Sequence, residues 1–449
     1  TKRIMQLTTE KEPTDLRQPG PAAGAAPGRR GIVVQKYGGS SVATLEKVQA
    51  VARKIVETRR QGCDVVAVVS AMGKTTDELV SKARAISQDP PQREMDMLLS
   101  SGERVSMSLL SMAVQELGVP AVSLTGSQSG ILTNDVHANA RIIEVRPFRI
   151  QDEAAKGNVV IVAGFQGASY RREITTLGRG GSDTTAVALA AALEADHCDI
   201  FSDVDGVYSA DPRVVDDALR LDQLCYEEMQ ELARQGARVL NAQAVEFARR
   251  HQIAIYARST FGGTEHTRVE RRDEGPQERL RELNAHGVTG VTGREDLLRV
   301  LCEGEACGDC APGVLEALRD CDVLSSSVEP HRHRLDLVVA TENVADPAAF
   351  ALELESRFSD GELQVQGGLG SVSAVGLGVG DKPAALLETL QALEKAGIDV
   401  VTSFTSREAL TCLVDVDRVD EAVQAVHALF LERDESAAHD AAASDQGAA

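Results

Sequence analysis

The chain has 449 residues, 43% of them hydrophobic and 3% aromatic, with no Trp and a formal net charge of −21 at pH 7. That acidic balance excludes nucleic acid and anionic membrane as principal partners, since both need a basic field, and obliges any anion-binding site to carry its own cations. The length implies about three domains, no apolar run reaches a membrane span, and the first residues lack the apolar core of a signal peptide, so a cytoplasmic protein is expected.

Residues 1–30 place Pro13, Pro19, Pro21 and Pro27 among Gly, Ala and charges and read as a disordered extension. Structure is expected from the apolar strand beginning at Gly31, which runs into Lys36-Y-G-G-S-S. A helix follows over 45–60, with Leu45, Val48, Val51, Ala52, Ile55 and Val56 at helical spacing. Residues 65–69 form a wholly apolar strand of the buried parallel kind, closed by Ser70-A-M-G-K-T-T. A Met- and Leu-rich helix near 95–117, a strand at 121–124, the loop 126–130 and a strand at 159–163 come next. The alternation predicts a doubly wound, largely parallel α/β domain over 31–262, whose ligands belong beyond the carboxyl ends of the strands. A helix pair over 223–260 ends it, and a polar linker is expected at 263–286. Beyond it, two similar strand–helix–strand–strand–helix–strand units, the first from about 287 and the second from about 372, predict a duplicated α+β module to 432. The tail 433–449 reads as disordered.

The stretch 175–185, T-T-L-G-R-G-G-S-D-T-T, is the most informative. Its glycines let the backbone approach a ligand. Ser182 and Asp183 stand where a helix opens and its N–H groups are free, and Arg179 supplies a planar fork for a carboxylate or phosphate. Lys36, followed by Gly38 and Gly39, can place an ammonium over phosphates. Gly73-K-T-T is not a P-loop, because Val68 stands where that pattern needs glycine, and no G-x-G-x-x-G opens a helix after the first strand. The segment from Ser202 to Arg213 lacks EF-hand spacing and fits a nucleotide-edge loop, with Asp203 or Asp211 near a metal-bound phosphate. Glu103 lies on the Met-lined helix, either solvated or holding an amine in the cleft. Cys302, Cys307, Cys310 and Cys321 are read as ordinary thiols, since no second metal-binding pair falls at the right spacing.

Together the motifs V-Q-K-Y-G-G-S-S at 34–41, V-S-A-M-G-K-T-T-D-E at 69–78, E-M-D-M-L-L-S-S-G-E-R-V-S at 94–106, T-G-S-Q-S-G-I at 125–131, V-A-G-F-Q-G at 162–167, T-L-G-R-G-G-S-D-T-T-A at 176–186 and S-D-V-D-G-V-Y-S-A-D-P-R at 202–213 closely resemble the aspartate kinases of the amino-acid kinase superfamily. The resemblance implies an amino-acid kinase fold followed by ferredoxin-like ACT modules in tandem. It implies transfer of the ATP γ-phosphoryl group, with Mg2+, to the β-carboxylate of L-aspartate. By this likeness Lys36 stabilises charge on the moving group and Asp183 orients Lys36. Arg179 would take the substrate α-carboxylate and Glu103 its amino group, with Thr76 and Ser182 helping to position it. Tyr37, Gly38, Gly39, Ser70, Ser202, Asp203, Tyr208, Asp211, Pro212, Arg213 and Arg238 would line the ATP site. Arg238 replaces a lysine frequent in the family, keeping the charge. No resident metal site is implied. The ACT region implies a homodimer or higher assembly and a lysine or threonine effector. There the second unit reads Gly380-D-K-P-A-A385, without the family's loop glycine, and 325–334 departs from the usual effector strand. A catalytically silent sensor, or a related kinase acting on glutamate, N-acetylglutamate or a nucleotide, is the alternative.

Overall fold

The computed structural model describes residues 31–271, 286–303, 307–318, 322–329, 334–342, 344, 346–358 and 363–431. The expected disordered ends, most of the linker and Cys321 lie outside these residues, as do the side chains of Cys307 and Cys310. Among the described residues no helix is long and apolar enough to cross a membrane.

The first half runs β1 (Ile32–Tyr37), α1 (Leu45–Arg60), β2 (Asp64–Val69), α2 (Thr75–Ile86), α3 (Gln92–Glu116), β3 (Ala121–Leu124), β4 (Ile131–Thr133), β5 (Ile142–Val145), α4 (Phe148–Ala155), β6 (Val159–Ala163), β7 (Gln166–Ser169), β8 (Ile174–Thr176), α5 (Gly181–Ala192) and β9 (His197–Ser202). It continues through β10 (Val207–Tyr208), β11 (Arg220–Leu221), β12 (Gln223–Cys225), α6 (Tyr226–Arg234), α7 (Ala242–His251), β13 (Ile255–Ser259) and β14 (His266–Glu270). The main sheet has the order β12-β14-β13-β9-β1-β2-β6-β3. From β13 to β3 every pairing is parallel; β14 is antiparallel to β13. Helices cover both faces. Val34, Val66 and Val68 pack with Val187 and Leu189 of α5, while Val65, Ala67 and Val69 pack with Val51 and Ile55 of α1. The alternation of the pleat divides each strand in this way.

Two features depart from the sequence reading. Residues 266–270 fall in the expected linker yet form β14, whose Thr267 and Val269 are fully buried while charges occupy the alternate positions; the period of two was masked by the surrounding polar run. In addition, β5-β4-β7-β8 form a separate four-stranded sheet, built from strands of three or four residues, too short to register as a periodic pattern.

The second half comprises β15 (Gly290–Glu303), α8 (Cys307–Ala317), β16 (Asp322–Glu329), β17 (Arg334–Ala340), α9 (Pro347–Ser356), β18 (Leu363–Val375), α10 (Pro383–Lys395), β19 (Thr402–Thr405), β20 (Ala409–Asp415) and α11 (Val419–Leu431). They build one antiparallel sheet in the order β16-β17-β15-β18-β20-β19. The long strands β15 and β18 are each shared, with register shifts between Arg294 and Arg299. The amino-terminal part of β15 and the carboxyl-terminal part of β18 close one core, with Val291, Val372, Leu393, Leu410 and Val426. The remaining parts close another, with Val300, Val314, Leu337 and Leu363. The two modules are therefore interleaved rather than consecutive, and the boundary expected near 372 lies inside β18.

Candidate active site

Parallel strands all end on the same side, so β1, β2, β6 and β9 deliver Lys36, Ser70, Gly164 and Ser202 to one crevice. Lys36 shares the face of Val34, toward α5. There its Nζ lies 2.6 Å from Asp183 Oδ1, with both side chains about nine-tenths buried. Asp183 occupies the first turn of the 12-residue α5, preceded by Gly180 in the left-handed region at φ 70°. A cation, a carboxylate and the amino-terminal end of a helix dipole thus meet at one point, an arrangement suited to a transferring phosphoryl group.

The floor is made of backbone. Gly38 N–H donates to Phe201 O at 3.2 Å, Ser70 N–H to Tyr37 O at 3.1 Å and Gly73 N–H to Gly39 O at 3.1 Å. A side chain at Gly39 would begin 2.9 Å from Ala71 O, so only glycine lets these two loops close on each other. Tyr37 does not line this site with its ring. It faces the α1 side, fully buried, stacked on Phe201 at 4.9 Å and donating to Gln35 Oε1 at 3.1 Å. The alternation that aims Lys36 at the crevice turns its neighbour into the core, so the Tyr37 ring is not placed to make the expected ATP contact.

Glu103 projects from α3 against the second loop. Its Oε1 accepts from Ala71 N–H at 3.1 Å, while Oε2 is buried without a partner. Burial pushes its carboxyl from the ordinary 4.5 up to about 7. An unpartnered buried carboxylate oxygen is a ready acceptor for an ammonium. Thr76 is half-buried in the first turn of α2, and Ser182 is buried against Gly164. Arg179 leaves the same loop as Asp183, held at its carbonyl by Asn241 Nδ2 at 3.2 Å. Its guanidinium is 71% exposed, and the nearest carboxylate, Glu342, is 4.0 Å away. The exposed fork can exchange this long contact for an anionic ligand.

On the other flank, Asp211 and Arg213 form a two-pronged pair of 3.0 and 2.6 Å. Arg213 holds the Asp211 carboxyl below its ordinary range, and Arg238 adds to the effect. Pro212 and Asp203 are exposed beside them. Ser202 Oγ accepts from Val204 N–H, capping the turn, and Tyr208 donates to Asp205 Oδ1 at 2.8 Å. This flank is gripped by the second half. Val291 N–H donates to Ser209 O at 2.7 Å, Gln424 Nε2 donates to Val214 O at 2.8 Å, and Ala210 and Val215 pack in the core of α10 and α11.

Sequence reasoning missed Asn241, Glu342 and the group formed by Asp96, His137 and Thr176. The aspartate of E-M-D at 94–96 was quoted only as part of a match, and its partners lie 41 and 80 residues away.

A sequence model of the Amino acid kinase family matches residues 31–259. An aspartokinase of Mycolicibacterium smegmatis is 42% identical over 409 residues, spanning 89% of this chain and 96% of its own. The chain belongs to the aspartokinases. Aspartokinase 2 of Bacillus subtilis, 40% identical, spans 89% of this chain and 98% of its own. Among solved structures, E. coli aspartokinase III in complex with aspartate and ADP covers 89% of this chain with a TM-score of 0.75 at 23% identity, a likeness of fold. Aspartate kinase from Synechocystis aligns at 36% identity with a TM-score of 0.51, over 89% of this chain and 69% of its own. The amino-acid kinase fold and the additional α/β region expected from the motifs are both present.

Proposed function

We propose that this aspartokinase transfers the γ-phosphoryl group of ATP to the β-carboxylate of L-aspartate, giving 4-phospho-L-aspartate and ADP, the first step toward lysine, threonine and methionine. The observation that carries the reading is the Lys36–Asp183 pair at the mouth of α5, within a chain about 40% identical to named aspartokinases over nearly its whole length. The relatives favour neither a silent sensor nor a kinase acting on glutamate or N-acetylglutamate.

The chemistry needs no general base, because the attacking carboxylate is ionised at neutral pH. It needs positioning and charge stabilisation. Lys36 Nζ, oriented by Asp183, neutralises charge developing on the phosphoryl oxygens as the bond to the leaving ADP oxygen breaks. The N–H groups opening α5 add a second electropositive element. Arg179 pairs with the α-carboxylate, the free Oε2 of Glu103 takes the α-ammonium, and Thr76 and Ser182 border the side chain. Asp211, Arg213 and Arg238 edge the nucleotide. Mg2+ brought with the phosphates fits this donor set, since that ion binds through phosphates and one or two carboxylates and Asp203 stands exposed at a strand end; when bound it neutralises phosphate charge. Among the described residues Cys63, Cys198, Cys225 and Cys412 are free thiols, in keeping with a reducing cytoplasm. The outer strands β16 and β19 leave two sheet edges available for pairing in a homodimer, and lysine or threonine acts on this region.

The test is ATP turnover with L-aspartate, trapping the acyl phosphate with hydroxylamine, with and without lysine and threonine. Aspartate-dependent hydroxamate is expected, falling with one effector. Hydroxamate that forms equally without aspartate refutes the substrate. Hydroxamate indifferent to both effectors refutes the regulation alone.

A further inference from the structure

We propose that Asp96 is a positioning residue for the acceptor substrate: its buried carboxylate locks the loop that carries Arg179. The proposal rests on the reading of Arg179 as the partner of the substrate carboxylate.

Asp96 stands in the first turns of α3 and is completely buried. A carboxylate taken out of water is tolerated only when hydrogen bonds replace its hydration. Three groups do so. Thr176 Oγ1 donates to Oδ1 at 2.6 Å, Ala138 N–H donates to Oδ1 at 3.0 Å, and His137 Nδ1 lies 2.6 Å from Oδ2. None of these groups takes part in the phosphoryl transfer described above.

Their positions show what the carboxylate holds. Thr176 is the last residue of β8, three before Arg179, and its carbonyl accepts from Ala140 N–H at 2.8 Å. Asp96 and Thr176 therefore grip the segment 137–140 from two sides. Within it Ala138 adopts φ 66°, a left-handed conformation costing a non-glycine residue about 1 kcal/mol; such strain persists where surroundings over-determine the backbone. The strained turn sets Asn139 Oδ1 3.0 Å from where a side chain at Gly178 would begin, forming one wall of the Arg179 loop. Leu177 N–H, donating to Phe165 O at 2.9 Å, pins the opposite side. The guanidinium itself is exposed, so the backbone beneath it is the only part the protein can fix beforehand. Orienting a planar fork toward a small carboxylate depends on that backbone.

The experiment uses the full chain with Asp96→Ala, Asp96→Asn, Thr176→Val and His137→Gln, reading KM for each substrate and, without substrate, deuterium exchange of the amides of 177–181. Asp96→Ala is expected to raise KM for aspartate about 10- to 100-fold, with KM for ATP changed by no more than about twofold, and to speed exchange in 177–181. Asp96→Asn keeps an acceptor for Thr176 and Ala138 and should recover most of the loss. Thr176→Val, nearly isosteric, should fall between. Equal rises in both KM values, or an unchanged aspartate KM in Asp96→Ala and Thr176→Val, overturn the proposal. If Asp96→Ala does not fold, Thr176→Val and His137→Gln decide it. Should wild type prove indifferent to aspartate, the substrate reading fails on its own, and unchanged exchange at 177–181 is then what overturns the lock.

Discussion

The two sheets solve different problems. In the first half six parallel strands all point one way, so every strand-end loop lies on the same edge and chemistry accumulates there: Lys36, Ser70, Gly164 and Ser202 come from strands far apart in sequence. In the second half every pairing among the described residues is antiparallel, so successive loops alternate between the two ends of the sheet. What that sheet gains instead is connection. Arg294, at the irregularity in β15, is buried and donates to Arg234 O at 2.6 Å while bridging Asp296 and Glu342, the carboxylate paired with Arg179. A parallel sheet concentrates a site; the antiparallel one, through its shared strand β15, is tied to the first half by Arg294.

The contrast is sharpest at Lys36. Lys36→Ala removes the ammonium facing Asp183, and kcat is expected to fall about 10²- to 10³-fold, the loss typical of a preorganised charge-stabilising group. KM for both substrates should change far less. A comparable loss in kcat/KM arising wholly from KM would assign Lys36 to ground-state binding. Breaking the connection instead, Arg294→Ala leaves Asp296 and a backbone carbonyl without their donor. It should destabilise by about 2–3 kcal/mol and split one calorimetric transition into two, the second half melting first. A single transition at an unchanged temperature would show that the halves are not coupled through this arginine.

How much was legible follows the same division. Parallel strands buried on both faces announce themselves as apolar runs, and Lys36 meets Asp183 as the resemblance implied; the contacts of Glu103 with Ala71 N–H and of Asp211 with Arg213 were not foreseen. What escaped was fixed by tertiary contact. Tyr37 adjoins Lys36 in sequence but faces the other side of the pleat. Asp96 looks like a polar residue at the start of a helix until β8 and the 137–140 turn are brought to it. The interleaving of the two C-terminal modules was missed because only 297–301 of β15 was read as a strand and a boundary was set near 372, within β18, whereas each long strand serves two cores. The clasp on the 209–214 segment by β15 and α11 joins residues far apart, Gln424 and Val214 being 210 positions from each other, a pairing no local pattern encodes.

The smallest expected effect concerns Glu103, whose carboxyl burial raises from 4.5 to about 7. With the folded value above the unfolded one, the group binds a proton more tightly in the native state. Its ionisation therefore weakens the fold as pH rises from about 4.5 to about 7, and Glu103→Gln should flatten the stability profile across that window. Substrate binding runs the other way. The ammonium of aspartate needs the ionised carboxylate, so kcat/KM for aspartate should rise with pH, up to about tenfold per unit below 7, and level off above it. The profile for ATP should show no such limb. In Glu103→Gln the aspartate profile should be flat and its KM high at pH 8, where the wild-type carboxylate is charged. A variant that retains the wild-type limb would place the titrating group elsewhere and make Glu103 a prop for the Ala71 loop, binding backbone and not substrate.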